Sequence, residues 1–96
     1  MITLSEHSIN RGWERFGLLE NELENLALLA FYLGLSIEEV PDELAKTRQS
    51  MIRIKENATG YGEKLVLLFD KKIFLFKNNV LVTVTKIDKR ELKKNE

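Results

Sequence analysis

The spacing of apolar positions along this chain changes once, near residue 60. Upstream of it, Ile9, Trp13 and Phe16 recur at i, i+4 and i+7, which sets them on one face of a helix over about residues 5–16. Thr3 or Ser5 can cap that helix, Glu6 stands three residues after Thr3 as in a capping box, and Gly17 suits a left-handed C-terminal cap. A second helix is predicted from about Leu19 to Leu33, with Glu20, Glu22 and Glu24 in its opening turns, at the positive end of the macrodipole. Leu23, Leu26, Ala27, Ala30 and Phe31 repeat at helical spacing, while Leu28, Leu29 and Tyr32 make the second half apolar nearly all round. This is the expected central helix of the core, stopped at Gly34. Ser36 and Glu39 form another capping box, Pro41 sits where a new helix can begin, and a third helix is expected from Asp42 to about Asn57, although Met51 to Ile54 could also start an extended segment. Thr59, Gly60 and Gly62 read as a loop.

From Lys64 onward, short apolar, β-branched and aromatic runs are separated by two or three polar residues, the pattern of hairpins. Three strands are expected: Lys64 to Phe69, Ile73 to Lys77, and Val80 to Ile87. Asp70-Lys71-Lys72 and Lys77-Asn78-Asn79 supply the turns, the asparagines tolerating the positive φ of tight hairpins. Strict alternation points Val80, Val82 and Val84 one way and Leu81, Thr83, Thr85 and Ile87 the other. The expected fold is α+β: about three N-terminal helices, residues 5–57, on one face of a C-terminal antiparallel sheet of three strands, or four, over residues 64–87. Residues 88–96 read as a charged tail, a frayed helix or a solvated end.

A chain of 96 residues has room for one core, and 44% apolar with 31% charged residues is a globular balance. Cysteine is absent, which excludes a disulfide scaffold and thiolate metal sites and leaves packing or self-association to stabilise a small core. No basic segment followed by an apolar run opens the chain, and Leu26 to Leu35 is about half the roughly 20 residues that span a bilayer, so a cytoplasmic protein with no membrane association is expected. The net charge of zero hides a division: residues 1–45 hold 2 basic and 9 acidic side chains (−7), and residues 46–96 hold 13 basic and 6 acidic (+7). Such a division either offers a basic face to phosphates or an acidic partner, or solvates two halves that attract each other weakly.

His7, Arg11 and Arg15 are spaced four apart on the first helix, with Glu14 nearby, opposite Ile9, Trp13 and Phe16. An imidazole can act as general acid or base at neutral pH and arginine forks can hold a phosphate, which is the minimal chemistry of metal-independent RNA cleavage. Thr83 and Thr85 could add hydroxyls from the last strand. The same residues are equally the solvated face of an amphipathic helix, with Arg11 paired to Glu14, beside ordinary β-forming threonines. Lys71, Lys72 and Lys77, interleaved with Phe69, Phe74 and Phe76, are candidates for a nucleic-acid surface, or for lysines that keep strand edges from pairing. No phosphate loop, dinucleotide fingerprint, nucleophile elbow or metal-ligand spacing occurs, so no cofactor or metal is expected.

Two segments, LSEHSINRGWERFGL and IFLFKNNVLVTVTKI, about 30 of the 96 residues, resemble short bacteriophage and prophage proteins of unassigned function. In those proteins a His-x-x-x-Arg-x-x-x-Arg helix opens the chain and a Leu-Val-Thr-Val strand closes it. More distantly, the layout is similar to the barnase, colicin and RelE-like ribonuclease-toxin superfamily, whose helix reads roughly His-Ala-x-x-Arg-x-x-x-Arg-Gly. On that pattern fall His7, Arg11 and Arg15, with Thr83 or Thr85 on the strand, while Ser8 replaces the alanine and Phe16 separates Arg15 from Gly17. The resemblance implies an accessory protein that binds a host or rival-phage factor. A metal-independent ribonuclease acting through His7, Arg11 and Arg15, or a protein that binds nucleic acid, is the alternative. A protein partner, an RNA and a second copy of the chain are accordingly the partners to look for.

Overall fold

The computed structural model describes residues 1–87 and Glu91. Three helices form where the periodicity places them: α1 (Glu6–Phe16), α2 (Glu20–Leu33) and α3 (Ala45–Asn57). Ser5 is the cap of α1, its hydroxyl accepting the Ser8 N–H at 3.0 Å, and Gly17 closes the helix at φ 66°. Thr3 plays no part in capping, because it lies in a short strand, β1 (Thr3–Leu4). At α2 the Glu22 carboxylate accepts the Leu19 N–H at 2.9 Å. Pro41 starts only a single 3-10 turn, Asp42–Leu44, which follows a similar turn at Ile37–Glu39 and leads into α3. The Ser36 N–H donates to Glu39 at 2.9 Å, and this bond, with the Ser36 hydroxyl, holds the Glu39 carboxyl below its ordinary pKa.

The strands β2 (Lys64–Phe69), β3 (Lys72–Lys77) and β4 (Val80–Lys86) form the expected meander. Both hairpins turn on two residues at positive φ, Asp70–Lys71 (50° and 57°) and Asn78–Asn79 (51° and 68°). This backbone matches the right-handed twist of the strands. The sheet itself differs from the expectation. It has four strands in the order β1-β4-β3-β2 and is mixed, because β1 pairs with β4 in parallel through Thr3–Val80 and Leu4–Leu81. Two residues are too few to show a strand period, which is why the sequence pattern passes over β1.

The helices also do not share one face. Leu23, Ala27 and Ala30 of α2 pack with Leu67, Phe74, Phe76, Leu81 and Val84 on one side of the sheet. Met51 of α3 and Val40 pack with Val66, Leu68, Ile73, Leu75 and Ile87 on the other. Alternation along β2 and β3 already allows this, since both have apolar residues at even and odd positions, the mark of strands covered on two sides. The domain is therefore three layers with the sheet in the middle. A chain of this length can fill two thin cores because each strand of the meander serves both.

Candidate functional site

α1 does not lie over the sheet but along the outer edge of β4. Where β1 ends, the Ser5 N–H donates to the Leu81 carbonyl (3.0 Å), the Ser5 hydroxyl to Val82 (3.1 Å) and the Arg15 Nη1 to Val84 (2.8 Å). These are the carbonyls an edge strand would otherwise offer to another chain. The buried side of α1 is centred on Ser8 and Gly12, not on Trp13, which is 60% exposed. Small side chains let the helix approach closely: a Cβ at Gly12 would stand 2.9 Å from Leu23 Cδ2. Trp13, on the apolar face read from the sequence, instead faces solvent, although Phe16 on the same face does pack against the α2-side core.

His7, Arg11 and Arg15 follow one another along α1, but the structure gives them separate tasks. Arg15 serves the β4 edge. Arg11 pairs with Glu14 at 2.7 Å, and its Nε is buried without a partner among the described residues. His7 is exposed in the first turn and makes no hydrogen bond or ion pair among the described residues. Eight residues, about 12 Å of helical rise, separate His7 from Arg15.

Thr83 and Thr85 are turned away from this helix by an irregularity that strict alternation does not anticipate. Leu75 pairs with Thr83 but Phe76 with Leu81, so Val82 is an additional residue in β4, a bulge. The bulge sets Leu81 and Val84 on the α2 side, correcting the expected pairing of Val82 with Val84. Thr83 and Thr85, opposite Leu75 and Ile73, fall on the α3 side.

The lysines are likewise divided. Lys71 lies in the β2–β3 turn, and Lys72 beside it pairs with Asp70 at 3.1 Å and lies 5.1 Å from the centre of the Phe16 ring. Lys77 is at the far end of β3, roughly 17 Å away at strand rise, where its ammonium donates to the Thr59 carbonyl at 3.3 Å. Phe74 and Phe76 are fully buried and cannot stack on bases. Among the described residues no cluster of His, Asp or Glu could hold a metal ion, and no helix is long and apolar enough to cross a membrane.

A concave feature with a mainly apolar lining lies elsewhere. A groove of about 380 Å³ runs between the end of α2, the start of α3 and the β2–β3 turn. Leu33, Leu35, Leu44, Leu68, Phe69 and Ile87 line it, and Asp70 and Lys71 form its charged lip. Leu33 is 65% exposed and Leu35 37%. The chain arrives here because Gly34 lets α2 end directly against β2: a Cβ at Gly34 would stand 2.5 Å from the Ala30 carbonyl and 3.0 Å from Leu67 Cβ. Leu35 then pairs with Leu68 through two 2.8 Å backbone hydrogen bonds, which hold the groove wall in place. The apolar character of Leu28 to Leu35 is visible in the sequence, but which of those side chains stay uncovered depends on where α2 docks.

No protein-family model, curated protein or solved structure matches this chain.

Proposed function

We propose that this protein acts by binding a protein partner, with the apolar groove between α2, α3 and the β2–β3 turn as its contact surface. The groove is the observation that carries the reading. Six apolar side chains with one ammonium and one carboxylate at the lip suit the apolar anchors of a protein segment, and the volume falls in the range of about 300–1,000 Å³ typical of ligand pockets. Surface leucines exposed together in this way mark interaction sites more often than chance. The resemblance of the two end segments to short phage and prophage proteins supports a host or rival-phage factor as that partner.

The ribonuclease alternative draws less support, because Arg15 and Arg11 are engaged within the protein and the threonines fall on the other side of the sheet. Recovery of tagged protein from host lysate tests the binding reading. One stoichiometric partner should come down with the native chain and be lost with Leu33→Glu, while Ile52→Glu, an exposed position outside the groove, retains it. Indifference of the partner to Leu33→Glu would reject the groove as the contact surface. Cleavage of RNA in the presence of chelator, abolished by His7→Ala, would restore the enzymatic alternative.

A further inference from the structure

The outward side of α2 carries a second line of uncovered side chains, distinct from the groove. Asn21, Asn25, Leu28 and Tyr32 are spaced four, three and four residues apart, the interval of a helix-pairing seam, and all four are exposed. Leu29 lies beside them, 47% exposed, and Tyr32 is 70% exposed. The seam is uncharged although Glu20, Glu22 and Glu24 alternate with it in the first half of the helix. An ordinary solvated helix face places its charges outward; here the charges are confined to the flanks. The Tyr32 ring is also held in place, edge-on to Phe31, which in turn packs edge-on against Phe76 of the sheet.

We propose that this chain pairs with a second copy of itself through the outer face of α2, with the two helices antiparallel about Leu28 and Leu29. The direction follows from polarity and charge. In that arrangement Asn25 of each copy lies opposite Tyr32 of the other, an amide against a phenol, and leucine meets leucine at the axis. On the flank that carries Leu29 and Leu33, Glu22 of one copy approaches the end of the other's α2, where Lys71 lines the same groove as Leu33. Lys71 has no ion pair among the described residues to give up. A parallel pairing would instead set Glu20, Glu22 and Glu24 of the two copies against one another. Opposed about Leu28 and Leu29, the two helices overlap over residues 24–33, about 15 Å at ~1.5 Å per residue, so the dimer is reversible and not obligate.

The absence of cysteine makes the test direct. Single variants Asn25→Cys and Tyr32→Cys of the full chain are mixed under mild oxidation. The mixture should give the cross-linked heterodimer far faster than either variant alone gives a homodimer. Sedimentation should show a concentration-dependent dimer whose dissociation constant rises by at least about tenfold in Leu28→Glu, because each interface then buries unpaired carboxylates. A monomer at the highest attainable concentration would overturn the proposal, as would preferential cross-linking of Asn25→Cys to itself, the mark of a parallel pair. A helical partner from lysate that displaces no dimer but needs Leu28 would show the seam to serve another protein, and would overturn it too. Asn25→Cys changes only an exposed polar position, so the cross-linking arm remains decisive if Leu28→Glu fails to fold. Because Leu33 and Lys71 border both surfaces, Leu28→Glu, outside the groove, separates the two readings: it should break the dimer and retain the partner bound in the groove.

Discussion

Lys71 occupies a backbone conformation that costs an L-residue about 1–2 kcal/mol, with φ at 57° and no side-chain partner among the described residues to offset it. Replacing it by glycine supplies the Asp-Gly pair such turns favour, so Lys71→Gly should raise stability by about 1 kcal/mol, read as a higher urea midpoint. The Asp70-Lys71 turn itself was legible from composition; the strain at its second residue was not, because it depends on the two-residue loop length set by the Phe69–Lys72 pairing. Trp13 teaches the opposite lesson. A tryptophan at the i+4 position of an apolar stripe suggests an anchor whose truncation costs about 3–5 kcal/mol. At 60% exposure, Trp13→Ala should instead cost less than about 1 kcal/mol in chemical denaturation. The buried residues of α1 are Ser8 and Gly12, which no hydrophobicity pattern selects.

At the scale of elements, α3 has an unusual beginning. Leu44 precedes it and offers no side-chain acceptor to the helix's first N–H groups. Glu91 supplies one from the far end of the chain: its buried carboxylate accepts the Lys46 N–H at 2.9 Å, the Thr47 N–H at 2.6 Å and the Thr47 hydroxyl. Of the two readings of this segment, a frayed helix or a solvated end, the solvated one does not hold at Glu91, which is helical and buried; the other residues of 88–96 lie outside the described ones. Substitution Glu91→Ala should lower stability by about 1–3 kcal/mol, since it leaves buried donors without an acceptor. Amide exchange measures the effect locally, with Lys46 and Thr47 losing protection before the centre of α2. The β4 edge follows the same logic, because β1, Ser5 and Arg15 together occupy carbonyls from Asn79 to Val84. An arginine spaced for phosphate binding is thereby given to a strand edge.

For the molecule as a whole, the consequence of two cores sharing one sheet is cooperativity. Met51, fully buried, belongs to the α3-side cluster and not to the α2-side one, yet β2, β3 and β4 contribute side chains to both. Met51→Ala should cost about 2–5 kcal/mol, a large part of a small domain's stability. The midpoint should fall equally whether followed by far-UV dichroism or by the fluorescence of Trp13 on α1, the helix whose Phe16 packs against the α2-side core. Separate transitions would mean that the layers unfold independently. The second half of α2, expected as the central helix of the core, is covered on one side only, and Leu28, Leu29, Tyr32 and Leu33 stay exposed.

What the amino-acid sequence determined by itself is the set of elements: the three helices and the meander, the glycine that ends α1, and the two turns between strands. Each of these depends on residues within one or two turns of chain, so their propensities and local hydrogen bonds are written in order. Tertiary structure alone decided the parallel strand β1, the Val82 bulge, the buried side of α1, the separation of the helices onto two faces and the cap from Glu91. Those depend on contacts between residues up to about eighty positions apart, whose energy exists only once both partners are in place.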